Sequence, residues 1–198
     1  MGKAGKTGVS ADTPKNILFG AGTIHKGLKY DAASSTWNFE ESIIGATQGG
    51  SKISIVPEFT DVEADGVMVM TKGLKVKTGE KATMEINLLE LTEEIMKASV
   101  IGKLGESPDD AFDLIESKAD LEAGDYYENI AFVGKKLDGK NIMVIMDNAL
   151  CTSGLEAEGK PKEGAVGKYT FKCHADNADE NATFDTLPWH IYNPKTVA

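Results

Sequence analysis

Arginine is absent from this sequence of 198 residues, in which all 21 basic residues are lysine. Arginine binds phosphate through two parallel hydrogen bonds, so its absence argues against tight binding of nucleic acid. The 31 acidic residues give a net charge of −10, and a chain of this charge repels DNA at long range. Neither feature prevents DNA from passing near the protein without being bound.

Cysteines and long apolar runs are also scarce. Cys151 and Cys173 are the two cysteines, and their isolation predicts reduced, structural thiols, with a disulfide between them as the less favoured alternative. No run reaches the ~18 apolar residues of a membrane-spanning helix. The polar N-terminus lacks the apolar core of a secretion signal. We therefore expect no membrane association and synthesis in a cytosolic compartment.

Motifs for catalysis or metal binding are incomplete, so we expect neither an enzyme nor a bound metal or cofactor. Gly5-Lys6-Thr7 lacks the preceding glycine and strand of a phosphate-binding loop. Asp61, Glu63 and Asp65 are spaced like the start of a calcium loop, but its twelfth position is Lys72, where calcium needs a glutamate. An acidic, solvated loop is the better interpretation.

The histidines and cysteines show no usual zinc spacing. Cys173 and His174 are adjacent in a predicted strand and point to opposite faces, so they are poorly placed to share a metal ion. His25 and His190 are isolated in sequence. A chance Ser/His/Asp triad among three histidines stays open at this stage.

The clearest secondary-structure pattern is a strand with one apolar and one polar face. The apolar residues are Ala82, Met84, Ile86 and Leu88, and the polar residues are Thr83, Glu85 and Asn87. This alternation predicts a half-buried antiparallel strand whose polar face is wet. Thr92 is the predicted N-cap of a short helix that follows this strand and ends at Gly102.

Further strands and one more helix are predicted from shorter patterns. The strands are residues 16–30, 53–59, 130–136, 141–146, 168–175 and 188–192. Ser107-Pro108 resembles a helix start and predicts a second helix through Phe112, Leu114 and Ile115. Seven or eight strands with one or two short helices predict a mainly β (α+β) fold, either a β-sandwich or a partly open barrel.

A long loop over residues 60–73 joins two of the predicted strands. Asp65-Gly66 and Lys72-Gly73 mark turns in it, and Val67-Met68-Val69-Met70 is apolar. Methionines on an extended loop suit an adaptable contact surface better than a core. A chain whose most distinctive segment is such a loop is expected to assemble rather than to catalyse.

Short motifs in one order along the chain resemble the major tail tube protein of long-tailed bacteriophages. They are NILFGAGT at 16–23, PEF at 57–59, VEADG at 62–66, KGL at 72–74, LLELT at 88–92, DNAL at 147–150, FKCHAD at 171–176 and PWHIY at 188–192. The resemblance extends from Asn16 to Pro194. Residues 105–125 contain no motif of that family.

The resemblance implies one tail tube domain over residues 16–198, after a flexible arm of residues 1–15. In that family six copies form a ring, the rings stack into a hollow tube, and DNA crosses the lumen during ejection without specific binding. A continuous β-barrel lines the tube, and the helix packs outside it. The implied partners are further copies of the chain and the tail tip or baseplate, tape measure and tail terminator proteins. The implied location is the virion tail, after assembly in the host bacterial cytoplasm.

The resemblance also implies two sets of site residues. The long loop and its flanks are expected to contact neighbouring subunits through Pro57, Phe59, Asp61, Glu63, Asp65, Val67, Met68, Val69, Met70, Lys72 and Leu74. The polar strand residues Thr83, Glu85 and Asn87 are expected to face the lumen. There, the negative charge of Glu85 would keep DNA away from the wall.

Two alternatives stay open. The inner tube of a contractile tail or of a phage-derived bacteriocin uses a similar subunit. A β-sandwich module that binds a carbohydrate or another ligand belongs to a different class and needs exposed aromatic platforms. Aromatic residues are only 7% of the chain, and Trp37 and Trp189 are the candidates.

Overall fold

Antiparallel strands form most of the computed structural model, which describes residues 8–157, 164–177 and 184–195. The strands are β1 (Leu18–Lys26), β2 (Tyr30–Asp31), β3 (Thr36–Trp37), β4 (Thr47–Asp61), β5 (Lys75–Leu88), β6 (Gly102–Gly105), β7 (Leu114–Ser117), β8 (Tyr127–Lys136), β9 (Asn141–Cys151), β10 (Gly167–Cys173) and β11 (Trp189–Tyr192). One α-helix, α1 (Glu93–Val100), follows β5. The predicted mainly β fold with a short helix is confirmed.

Seven of these strands form one sheet in the order β1-β8-β9-β10-β5-β4, with β11 added beside β9. The edge of β9 opposite β8 is shared between two strands. β10 pairs with its residues 149–151, and β11 pairs with residues 143–146. Asn148 lies between these two stretches and adopts a left-handed φ of 48°, which asparagine tolerates better than most residues. Because β10 is short, residues 75–82 of β5 pair with no strand on that side among the described residues.

The sheet curls back on itself at one end. The amide of Lys26 donates to the carbonyl of Ser42 at 2.7 Å, and the amide of Ile44 donates to the carbonyl of Ile24 at 3.0 Å. We call this hydrogen-bonded contact between β1 and residues 42–44 the seam. Residues 46 and 47 then pair with the end of β5, so the sheet closes into a barrel at this end only. The expected partly open barrel is confirmed.

The main core fills the inside of this curl. The four predicted apolar residues of β5, from Ala82 to Leu88, are at most 2% exposed. Tyr169, Phe171 and Cys173 of β10 pack against the same cluster, as their alternation predicts. A second, smaller cluster covers the opposite face of β8 and β9 and includes Trp37 and Phe39. The two clusters together bury nearly all of the large apolar side chains of β5, β8, β9 and β10.

Helix α1 begins and ends close to the predicted residues. The hydroxyl of Thr92 accepts a hydrogen bond from the amide of Ile95 at 3.3 Å, which satisfies one free donor of the first turn. The helix ends at Val100, and the left-handed residue that caps it is Ile101, with a φ of 51°, and not Gly102, which is the first residue of β6. The N-cap prediction is confirmed, and the predicted end is one residue too late.

The predicted second helix through Phe112, Leu114 and Ile115 is wrong. Leu114 and Ile115 belong to β7, which pairs with β6, and Phe112 lies in the connecting turn. The capping signals are used by that turn instead, because the carboxylate of Asp109 accepts the amide of Ala111 at 3.0 Å. Asp109 and serine side chains hydrogen-bond equally well to turns and to helix starts, so the motif does not distinguish them.

The N-terminal segment is partly described. Gly5-Lys6-Thr7 and the rest of residues 1–7 lie outside the described residues. From Thr13 to Asn16 the chain forms one turn of 3-10 helix, next to an ion pair between Lys15 and Asp12 at 2.8 Å. The end of the predicted arm is therefore locally ordered.

The two cysteines are buried and unpaired, which confirms their interpretation as structural thiols. The thiol of Cys173 donates to the carbonyl of Asp147 at 3.2 Å. Burial raises the pKa of Cys173 to about 12 and also raises the pKa of Cys151, because a thiolate loses its hydration there. Both side chains therefore stay protonated and unreactive at neutral pH.

His25 lies buried at the seam. Its Nε2 is 2.7 Å from the hydroxyl of Thr23, and its Nδ1 is 2.9 Å from the hydroxyl of Ser42. The edge of its ring contacts Phe39. Burial is the main cause that lowers the pKa of His25 below its ordinary value of 6.5. Burial at the seam therefore favours the neutral imidazole of His25 over the imidazolium.

We expect the free energy of unfolding to fall as the pH is lowered from 7 to 5. The unfolded chain protonates His25 near pH 6.5 and the folded chain only at lower pH, so stability is complete above pH 6.5 and is lost below it. The slope attributable to His25 is at most about 1.4 kcal/mol per pH unit. Urea denaturation of the natural chain, His25→Gln and the control His190→Gln measures this slope. Equal slopes in all three would contradict the prediction.

Candidate assembly surface

The feature that extends furthest from the barrel is a two-stranded ribbon. β4 pairs with β5 as far as Asp61 and Lys75, whereas β10 pairs with β5 only over residues 83–88. We define the ribbon as residues 56–61 and 75–81. Over the described parts of the chain, no strand pairs with either of its outer edges. An isolated two-stranded hairpin is marginally stable in water, so the packing of another surface against this ribbon would stabilise it.

Ion pairs across the ribbon link its two strands. Lys81 lies 2.5 Å from Glu58, and Lys75 lies 2.8 Å from Asp61. Exposed pairs of this kind contribute about 0–1 kcal/mol each. The predicted edge position of Pro57 is confirmed, and a bulge follows it between Glu58 and Phe59.

Glu80 fixes the base of the ribbon to the barrel. Its carboxylate accepts the amide hydrogen of Leu187, just before β11, at 2.5 Å, and it also binds Lys77 at 2.5 Å. These hydrogen bonds lower the pKa of Glu80, the Leu187 amide having the largest effect. This role of Glu80 is not predictable from the sequence, because Leu187 is 107 residues further along the chain.

The loop Val62–Leu74 closes the ribbon. The amide of Val62 donates to the carbonyl of Leu74 at 2.7 Å, and Gly66 and Gly73 have positive φ values of 81° and 95°. Both predicted turns are therefore confirmed. β4 continues two residues further than predicted, because Thr60 and Asp61 belong to it.

Four consecutive apolar side chains of this loop are open to solvent. Val67, Met68, Val69 and Met70 are 43%, 96%, 76% and 85% exposed. The recess beside them is lined only by residues 61–71 and Leu74, so the described chain offers no other surface against them. Of the eleven predicted interface residues, ten are exposed and Leu74 is half-buried. Their accessibility agrees with an interface role, which stays a prediction.

The polar face of β5 has the predicted residues and lysines beside them. Thr83, Glu85 and Asn87 point away from the core, and Glu85 forms an ion pair with Lys52 of β4 at 2.9 Å. The charged residues of this face on β4, β5 and β10 are Lys52, Glu58, Lys81, Glu85, Lys168 and Lys172. Four lysines and two glutamates give it two positive charges in excess. The negative charge of Glu85 is therefore accompanied by more lysines than the sequence indicates, and its position in a lumen stays a prediction.

The alternation in β10 indicates where Lys168 and Lys172 point, since Tyr169, Phe171 and Cys173 are the buried residues between them and beyond them. What the sequence does not indicate is that β10 lies beside β5. That pairing joins residues about 85 positions apart, and it alone brings these lysines next to Glu85 and Asn87.

The other candidate sites of the sequence have structural partners. Asp61 binds Lys75 across the ribbon, and His174 packs edge-on against Tyr126. His190 binds Asp147 at 3.2 Å. Within the described ranges, no three histidine, cysteine or acidic side chains are grouped closely enough to hold a metal ion.

Comparisons with known proteins place no family on this chain: no protein-family description matches it, and no curated protein is significantly similar to it. Among the helices of the described residues, none combines the length and the apolar character needed to cross a membrane. The chain's own ribbon and loop are therefore the features on which a functional proposal rests.

Proposed function

We propose that this chain is a structural subunit that assembles with copies of itself into stacked rings, forming the tail tube of a long-tailed bacteriophage. The observation that carries the proposal is the ribbon with its apolar loop, which projects from the barrel without a partner among the described residues. A folded monomer gains nothing from presenting Met68 and Met70 to water. Burial against another copy explains both the ribbon and the loop.

Two properties of the ribbon favour a ring or tube over a simple dimer. Among the described residues, no strand pairs with either of its edges, so each copy can contact two neighbours. The loop also lies at the far end of the ribbon, away from its base at Glu80. A subunit that uses side edges for one contact and a projecting tip for another can build a ring and stack that ring on the next.

The resemblance of the sequence motifs supplies the remaining parts of the proposal. Six copies per ring, a lumen that conducts DNA, and contacts with tail tip or baseplate, tape measure and terminator proteins are what that family would bring. Thr83, Glu85 and Asn87 would line the lumen. The lysines of this face would contact phosphates as point charges, and with no arginine in the chain such contact with passing DNA would be independent of sequence.

The inner tube of a contractile tail or bacteriocin uses the same features, and a sheath gene beside this one would identify it. The carbohydrate-binding alternative is less well supported. Trp189 packs on the main core, and the rings of Tyr30 and Tyr192 are tilted by 59° and 73° to Trp37, so these exposed aromatics form no flat platform.

We expect the purified chain to form hexamer-sized rings or tubes as its concentration rises. Sedimentation velocity over a concentration series and negative-stain microscopy measure this. The physical reason is that apolar loop burial and edge pairing both require a second copy. A strict monomer at millimolar concentration, including in sulfate salts that strengthen apolar burial, would contradict the proposal.

A further inference from the structure

The end of the barrel at the turn between β8 and β9 combines exposed apolar side chains with lysines that have no carboxylate partner among the described residues. We call it the lysine end and define it by Ile17, Leu18, Phe19, Lys135, Lys136, Leu137 and Lys140. We propose that the lysine end is the docking surface for the loop Val62–Leu74 of a second copy of this chain. The inference rests on the proposed self-assembly and names the surface that receives the loop.

The most unusual residue of the lysine end is Lys136. It is only 7% exposed, and its ammonium group donates to the side-chain oxygen of Asn193 at 2.6 Å. No carboxylate lies within ion-pair distance of it in the portion of the chain that is described. A buried ammonium with one neutral acceptor is poorly compensated. A carboxylate brought by another copy would supply the missing charge.

Two neighbouring lysines at the surface also lack a carboxylate partner among the described residues. Lys135 and Lys140 are exposed, and Lys140 donates to the backbone carbonyl of Lys195 at 3.0 Å. Neither has a carboxylate partner within the described ranges. Asp138 and Glu40 are the acids nearby, so three lysines leave one positive charge in excess. The lysine end is therefore locally positive on a chain of net charge −10.

A groove beside β1 adjoins the lysine end and shares Phe19 and Lys135 with it. Leu18 and Phe19 are 49% and 67% exposed, and the pairing of β1 with β8 shifts register between Phe19 and Thr23. Two glycines, Gly22 and Gly134, lie along the groove, where a β-carbon would come within 2.4–2.6 Å of the Phe132 ring. The resulting cavity of about 460 Å³ is large enough for methionine-sized side chains.

The loop has the complementary composition. Glu63 and Asp65 lie on it without a cationic partner in the described chain, and Val67 to Met70 follow them directly. Acids on the loop thus match the lysines, and apolar side chains on the loop match the groove. Since the loop's recess is lined by loop residues alone, the loop does not occupy the lysine end of its own chain. A second copy is the occupant that satisfies both surfaces.

Charge reversal tests the pairing. Lys135→Glu with Lys140→Glu is expected to raise the concentration needed for assembly at least about tenfold, and so is Glu63→Lys with Asp65→Lys. All four positions are exposed, so each variant should fold. Combining the four changes restores opposite charges and should recover most of the assembly. Sedimentation velocity gives the concentrations, and circular dichroism checks the fold.

A control variant replaces Lys97 on α1 and Lys103 on β6 by glutamate. It is expected to assemble like the natural chain. Zero-length cross-linking between carboxylates and amines should join Glu63 or Asp65 of one copy to Lys135 or Lys140 of another. If the natural chain assembles and both reversed pairs assemble equally well, or the combined variant stays as defective as its parents, the docking inference is overturned and self-assembly stands. If the natural chain does not assemble, the proposed function itself is overturned.

Discussion

Replacing Val67, Met68, Val69 and Met70 together by serine is expected to abolish assembly and leave the folded subunit intact. These side chains are 43–96% exposed in the single chain, so the monomer loses little by their removal. In an assembly each buried side chain contributes about 1.5–3 kcal/mol. Even with partial burial, the loss of all four should weaken stacking at least about a thousandfold. Sedimentation velocity and urea denaturation measure the two effects.

The control replaces Leu104 and Phe112, which are 51% and 69% exposed on the hairpin of β6 and β7. This double serine variant removes exposed apolar side chains at another place on the surface and should assemble normally. Unfolding of the loop variant would show that the loop belongs to the core. Normal assembly by it would show that the loop is not the stacking contact.

Phe171→Ala is expected to cost about 3–5 kcal/mol of stability. Phe171 is fully buried in β10, and its ring stacks on Tyr127 at 5.4 Å between centroids. β10 spans only seven residues and connects β9 to β5, so a cavity there weakens the link between the two halves of the barrel. Since domains of this kind have total stabilities of about 5–15 kcal/mol, the change removes a large share of the total.

Urea denaturation monitored by tryptophan fluorescence checks this value, with Phe112→Ala as the matched control. The control removes the same ring from a site that is 69% exposed and should change stability by less than about 0.5 kcal/mol. Similar midpoints for the two variants would contradict the position of Phe171 at the centre of the core.

The parts of the fold that follow from local sequence were predictable. The alternation from Ala82 to Leu88 fixes which side of β5 is dry, because successive strand residues point to opposite faces. The N-cap at Thr92 was predictable for a similar reason, since its hydroxyl satisfies a donor only three residues away. Both features depend on neighbours within one turn or one strand.

What the sequence did not indicate depends on contacts between distant residues. The lysines beside Glu85 become visible only when β10 is placed next to β5, and the role of Glu80 depends on Leu187. The sequence predicts a helix around Phe112 because the residues that cap helices also form turns. The pairing of β6 with β7 shows that the segment is a turn between strands. The loop over residues 60–73 was predictable from its turns and composition. The lysine end was not, because it joins β1 to the turn between β8 and β9.

Pro57 and the bulge after it interrupt the regular edge of β4. A long, flat strand edge is a template for amyloid-like stacking of identical segments. Pro57 removes one amide donor from β4, and the bulge between Glu58 and Phe59 twists the strand away from a regular register. These two features protect this part of the β4 edge from indiscriminate edge-to-edge aggregation. The proposed assembly would then depend on the side chains of the loop as well as on backbone pairing.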